Sequence, residues 1–94
     1  MNDPAGGVLK LRLYVAGNAA NSQRATANTK AICAEHFPAA YELEIVDMLQ
    51  DPKRALADGI IVTPTLLKLA PGPVQKLIGT LNDRDQVLMT LEGG

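Results

Sequence analysis

Leu9, Leu11, Leu13 and Val15 alternate with Lys10, Arg12 and Tyr14. A two-residue period of this kind puts one strongly apolar face on an extended strand. Val8 and Tyr14 lend the opposite face some apolar character, so cover on both faces is expected. Ala16-Gly17-Asn18 breaks the strand, and Asn21 or Ser22 is the expected N-cap of a helix running to about His36. Along that helix Ala25, Thr29, Ile32, Cys33 and Phe37 recur at steps of three and four and make a buried stripe, while Arg24, Asn28, Lys30 and Glu35 fall largely off it. Pro38 ends the helix. Tyr41 to Asp47 then alternates again. A strand, a helix and a second strand in this order imply parallel pairing through a right-handed crossover.

Beyond Asp51 the punctuation is denser. Asp51-Pro52 reads as an N-cap with proline at the first helical position, opening a short helix to about Asp58 with Leu56 as its apolar anchor and Gly59 as its stop. The run from Ile60 to Leu69 is β-branched and apolar around Pro64. Proline removes a ladder donor, so the third strand is expected from Thr65 to about Leu69. Pro71-Gly72-Pro73 signals a turn, Val74 to Ile78 returns as a fourth strand, and Gly79 closes the hairpin. Asn82-Asp83-Arg84-Asp85 supplies caps and early carboxylates for a last helix, whose apolar side is Val87, Leu88 and Leu91. The order is β-α-β-α-β-β-α, with one parallel and one antiparallel half. That is the thioredoxin-like α/β arrangement. Residues 1–7, with Pro4 and Gly6-Gly7, are expected to form a flexible leader, and residues 8–94 a single domain.

Ninety-four residues suit one core. Nine basic against ten acidic side chains give a net charge of −1, which lacks the footprint of a nucleic-acid-binding protein. With no Trp, one Phe and two Tyr, stacking platforms for bases are missing too. No apolar run approaches the roughly 20 residues that cross a bilayer. Neither nucleic acid nor membrane is therefore an expected partner. One cysteine and one histidine exclude an internal disulfide and a His/Cys metal cluster within one chain. Met1–Gly7 has no signal-peptide character, so a reducing cytoplasm is the expected compartment.

A thioredoxin-like fold that performs thiol chemistry carries its thiol in the turn before the first helix, where the helix N-terminus lowers its pKa. Here that stretch is Gly17-Asn18-Ala19-Ala20-Asn21-Ser22, without cysteine. Cys33 falls on the buried stripe and reads as a small core hydrophobe. His36 sits where a helix C-terminus favours a cation, and no motif supplies it with an acid or a nucleophile. Thr63-Pro64-Thr65 is the most informative local feature. In thioredoxin-like domains such a proline is commonly cis, and its neighbours' backbone receives extended peptides or glutathione. A glutathione-binding enzyme is thus one alternative, with Asp83 and Asp85 as candidate amino-group ligands, although capping explains both. The glycines match no phosphate-binding spacing.

Taken together, certain blocks resemble the KaiB family of bacterial circadian clock proteins. They are Leu13-Tyr14-Val15-Ala16-Gly17-Asn18, Asn21-Ser22, Arg24-Ala25, Val46-Asp47-Met48-Leu49, Asp51-Pro52, Thr63-Pro64-Thr65-Leu66, Pro71-Gly72-Pro73-Val74 and Ile78 through Arg84. They run from about Val8 to Leu91 without an evident gap. The resemblance implies a non-enzymatic timing protein, with no cofactor, that binds the N-terminal ring of the hexameric ATPase KaiC. It further implies capture of KaiA and displacement of the thioredoxin-like sensor domain of the histidine kinase SasA. It also implies a metamorphic chain. One form has the thioredoxin-like order and binds KaiC; the alternative keeps the first βαβ part, rearranges everything after about Asp51 to give β-α-β-β-α-α-β, and assembles as a tetramer. A homo-oligomer, dimer or tetramer, is accordingly a further possible partner. The sensor domain of a histidine kinase is the other alternative, disfavoured by the lack of a following linker or coiled coil.

The residues give that division a physical reason. The first half is a self-consistent βαβ unit, whereas Pro52, Pro64, Pro71 and Pro73 with Gly59, Gly72 and Gly79 punctuate the second. Its short apolar runs fit either strand or buried helix. Two packings a few kcal/mol apart are then accessible. Pro64, Pro71 and Pro73 are the candidate fold-switch and cis prolines, whose isomerisation takes tens to hundreds of seconds. The resemblance places Arg24 and Lys76 at or near partner surfaces, Asp83 and Arg84 at the conformation-sensitive start of the last helix, and Glu92 at an acidic position near the family's end. Glu44 and Gly59 stand where clock members often have lysine, and the charge reversal at Glu44 argues against KaiA capture.

Overall fold

A computed structural model describes residues 8–93. The leader expected over residues 1–7 lies outside the described residues. Strand β1 (Leu9–Val15) leads through helix α1 (Ala20–His36) to β2 (Tyr41–Asp47), then α2 (Pro52–Ala57), β3 (Thr65–Ala70), β4 (Gln75–Ile78) and α3 (Arg84–Gly93). The four-stranded sheet has the order β2-β1-β3-β4. β1 pairs in parallel with β2, and the β1–β3 and β3–β4 pairs are antiparallel. This is the thioredoxin-like arrangement, not the alternative β-α-β-β-α-α-β order.

The alternation along β1 divides the molecule into two cores. Leu9, Leu11, Leu13 and Val15 join Leu66 on one face, where Ala25, Ile32 and Cys33 of α1 and Val87 and Leu91 of α3 cover them. On the other face Tyr14, Val46 and Leu67 pack against Ala55 of α2 and Ile60. Tyr14 is fully buried, so the second face of β1 is as dry at this point as the first. Phe37 and Leu88 are only partly buried, at the margin of the first core.

Three details depart from the sequence-based expectation. Helix α1 begins earlier than its anticipated caps: Ala19 is the N-cap residue, and Ser22 lies inside the first turn. The Ser22 hydroxyl accepts instead from the Ala16 N–H at 3.1 Å, so it ties the end of the strand segment to the helix. Leu56 is not the anchor of α2, being 80% exposed, whereas Ala55 is 1% exposed. Asp58 reaches Tyr14 of β1 and the Arg54 side chain reaches Glu44 of β2, and at about 100° per residue Leu56 must then face away from the sheet. The fourth strand starts at Gln75, leaving Val74 exposed in the turn. At the last helix the capping expectation is met by Asp83, whose Oδ1 accepts from the Gln86 N–H at 3.1 Å.

Candidate functional site

The mouth of a thioredoxin-like sheet lies where the β1–α1 turn meets the loop entering β3. In this chain Asp47 and Thr65 at that mouth are committed to the backbone. Asp47 Oδ1, at the end of β2, accepts from the Gly17 N–H at 3.1 Å and the Leu49 N–H at 2.9 Å, bracing the turn from below. Gly17 adopts φ +54°, a left-handed conformation that suits glycine. The Thr65 hydroxyl donates to the Val62 carbonyl at 2.7 Å, and the Gly79 N–H donates to the Pro64 carbonyl at 2.9 Å. The peptide bonds before Pro64, Pro71 and Pro73 are cis. Pro64 is buried in the loop, and Pro71 and Pro73 are exposed at the hairpin turn.

Cys33 is fully buried on the α1 stripe, remote from that mouth, and burial pushes its thiol up to about 11. At neutral pH such a group holds its proton and is a poor nucleophile. His36 lies 3.2 Å from Glu35, whose Oε1 also receives Arg84. Among the described residues no group of three or more His, Cys, Asp and Glu side chains is placed to hold a metal ion. No helix among them is long and apolar enough to cross a membrane.

The sequence-derived partner residues are spread over the surface. Arg24 is exposed near the start of α1. Arg84, at the start of α3, pairs with Glu35 near the end of α1. Glu92 is exposed eight residues further along α3, about 12 Å away at the helical rise. Lys76 lies on the opposite side of the sheet. It pairs with Leu67 of the second core, and its Nζ donates to the Gly59 carbonyl at 3.4 Å beyond the end of α2. The fold thus brings Arg84 to α1 and Lys76 to the α2 loop, and does not join Arg24, Lys76, Arg84 and Glu92 in one patch. Beside the outer edge of β2 lie two open depressions, one lined by Gln23, Lys30 and Ile45 and the other by Lys30, Tyr41 and Ile45.

A further polar cluster was not anticipated from the chain. Arg12 of β1 lies beside Glu44 of β2 in the parallel register. Its Nε donates to Glu44 Oε1 at 3.0 Å and its Nη1 to Asp58 Oδ2 at 2.9 Å. Arg54 donates through Nη1 to Glu44 Oε2 at 2.7 Å and through Nη2 to Oε1 at 2.8 Å, a bidentate pair. The buried Tyr14 hydroxyl sits 2.5 Å from Asp58 Oδ2 and 3.1 Å from the Arg54 carbonyl. Its single proton goes to the carboxylate, the nearer and charged acceptor. Hydrogen bonds from Arg54 and Arg12 hold Glu44 down at about 2, while burial and the Asp58 contact push Tyr14 up to about 12. The sequence signal was the i, i+4 pair Arg54 and Asp58, meaningful only once α2 is known to lie over β1.

Comparisons with known proteins place the chain in a family. The KaiB domain matches residues 12–92. The circadian clock oscillator protein KaiB of Microcystis aeruginosa is 49% identical over 82 residues, covering 87% of this chain and 79% of that protein. The circadian clock protein KaiB3 of Synechocystis is 45% identical over 82 residues, covering 87% and 80% of the two chains. Among solved structures, the N-terminal domain of SasA from Synechococcus elongatus is similar at a TM-score of 0.75 and 25% identity, over 100% of this chain and 94% of that one. A thioredoxin from Halobacterium salinarum shares the fold at a TM-score of 0.74 and 22% identity, over 92% and 74% of the chains. A domain match running from within β1 to the last turn of α3, together with relatives of this similarity, means that the chain belongs to the KaiB family.

Proposed function

We propose that this protein is a non-enzymatic timing regulator that docks on the N-terminal ring of a KaiC-like hexameric ATPase and modulates its phosphorylation cycle. The observation that carries this reading is the KaiB domain match across residues 12–92. The likeness to a SasA domain supports a shared docking surface, so that a SasA-like kinase would compete for the ATPase. Arg24, Lys76, Arg84 and Glu92 are the partner-contact candidates. Their spread over both sides of the sheet suits contact with several neighbours in an assembly. The thioredoxin-like form is the binding form, and it exchanges with a second arrangement of the chain after Asp51. The partner then draws the equilibrium by selecting one form, at a rate limited by that form's population. The chain works in the cytoplasm. Capture of KaiA is the weakest part of the parallel, because Glu44 carries the opposite charge to the lysine expected there.

Size-exclusion chromatography of the isolated protein with and without a KaiC-like ATPase and ATP tests the proposal. A small species that moves into the ATPase peak supports it. Failure to co-migrate, accompanied by saturable glutathione binding in a titration, would replace it with the small-molecule alternative.

A further inference from the structure

The Arg12, Tyr14, Glu44, Arg54 and Asp58 cluster straddles the boundary at which the proposed exchange begins. Arg12, Tyr14 and Glu44 belong to the β1–β2 unit, and Arg54 and Asp58 to α2 and its end. Only the Arg12–Glu44 contact is internal to the first half. The two bonds from Arg54 to Glu44, the bond from Arg12 to Asp58 and the bond from Tyr14 to Asp58 all cross the boundary.

Helix α2 has little else to hold it. It is six residues long with Ala55 as its one buried side chain. A methyl group supplies little apolar area, so docking of α2 depends unusually on its polar ties. Those ties are not equal. Glu44 and Arg54 are partly exposed and would be rehydrated if α2 left. The Tyr14 hydroxyl sits on a fully buried side chain, so weakening its acceptor Asp58 while α2 stays docked carries the larger cost. Charge is also matched within the cluster. Both Glu44 oxygens are used, and a cation in place of Glu44 would face Arg12 and Arg54 with like charge.

We infer that this cluster is a conformational clamp, fastening α2 to the β1–β2 unit and biasing the chain toward the thioredoxin-like form. The inference rests on the fold exchange proposed above. In this chain Glu44 is a member of the clamp, so its charge reversal has a structural use whether or not a KaiA-like partner exists.

The test is to measure by NMR, on the full chain, the ratio of the thioredoxin-like form to the second form in wild type and in Arg54→Ala, Glu44→Lys and Asp58→Asn variants. Glu42→Gln, an exposed carboxylate on the same strand outside the cluster, is the control. The clamp predicts that Arg54→Ala lowers the ratio about two- to fivefold, the range of a partly exposed pair. Asp58→Asn and Glu44→Lys should lower it further, while the control leaves it unchanged. Two visible forms whose ratio does not respond to Arg54→Ala, or responds equally to Glu42→Gln, overturn the clamp while leaving the exchange intact. Arg54→Ala removes a part-exposed side chain, so this outcome remains readable should Asp58→Asn fail to fold. A single form in every sample instead overturns the exchange itself, and the clamp with it.

Discussion

The Lys68 ammonium donates to the Thr90 carbonyl at 3.3 Å, from a side chain in β3 that is only 2% exposed. Lys68 lies on the same face as Leu66, beneath α3, and no carboxylate lies within ion-pair distance of it among the described residues. The carbonyls of the last turns of α3 carry the negative end of the helix dipole and partly compensate the charge. One long hydrogen bond does not replace full hydration of an ammonium.

Replacing that ammonium by an apolar side chain of similar length should therefore stabilise the domain. Lys68→Met is expected to raise the unfolding free energy by about 1–2 kcal/mol, read from urea denaturation at neutral pH. A loss of stability instead would mean that the contact with the α3 carbonyls outweighs desolvation.

Cys33 offers a chemical probe of the same interior. Its thiol is pushed up to about 11 by burial, so at pH 8 it is almost wholly protonated as well as shielded. Alkylation of the native protein should be slow and should accelerate on adding urea, following the opening of α1 from the sheet. Rapid labelling under native conditions would contradict the buried placement. Cys33→Ser should cost about 1–3 kcal/mol, since the new hydroxyl enters an apolar site.

Acid should weaken the attachment of α2. Glu44 and Asp58 both have native pKa values below their usual ones, Glu44 at about 2. A depressed folded-state value means that these groups stabilise the fold above their unfolded values, near 4, and that the contribution disappears as the pH falls toward 2. The urea midpoint should therefore drop between about pH 5 and pH 2, and Glu44→Gln should reduce the drop. Added salt should shrink the Glu44 part, because that pair is partly exposed. An acid slope identical in wild type and Glu44→Gln would show that Glu44 is not responsible.

The first half of the fold was legible because its signals are periodic and long enough to repeat. β1 shows its alternation over seven residues, and the α1 stripe recurs at Ala25, Thr29, Ile32 and Cys33 within a helix of seventeen. The cysteine-free turn before α1 likewise announced the lack of a thiol at the mouth. The start of α1 was harder to place, because Ser22 fits a cap as well as a first-turn residue bonding back to Ala16. The polar cluster could not be read at all: Arg12 and Asp58 are 46 residues apart, and their contact depends on how α2 sits on the sheet. The burial of Lys68 has the same origin, since one lysine within an apolar run does not reveal whether a helix will cover it.

The orientation of α2 provides the last expectation. Six residues span less than two helical turns, too few for apolar periodicity to choose a face, and the largest apolar side chain was the wrong guide. Tyr14, reaching over to Asp58 and the Arg54 carbonyl, turns those positions toward β1 and leaves Leu56 outward. Leu56→Ala should consequently change stability by no more than about 0.5 kcal/mol, as expected for an exposed position. Ala55→Leu should cost about 1–3 kcal/mol, because the added carbons must enter the contact with Val46, Ile60 and Leu67. Thermal or urea unfolding of the two variants makes the comparison direct. If Leu56→Ala were the more damaging of the two, α2 would have to face the sheet with its other side, and the ties from Arg54 and Asp58 to the β1–β2 unit could not form as described.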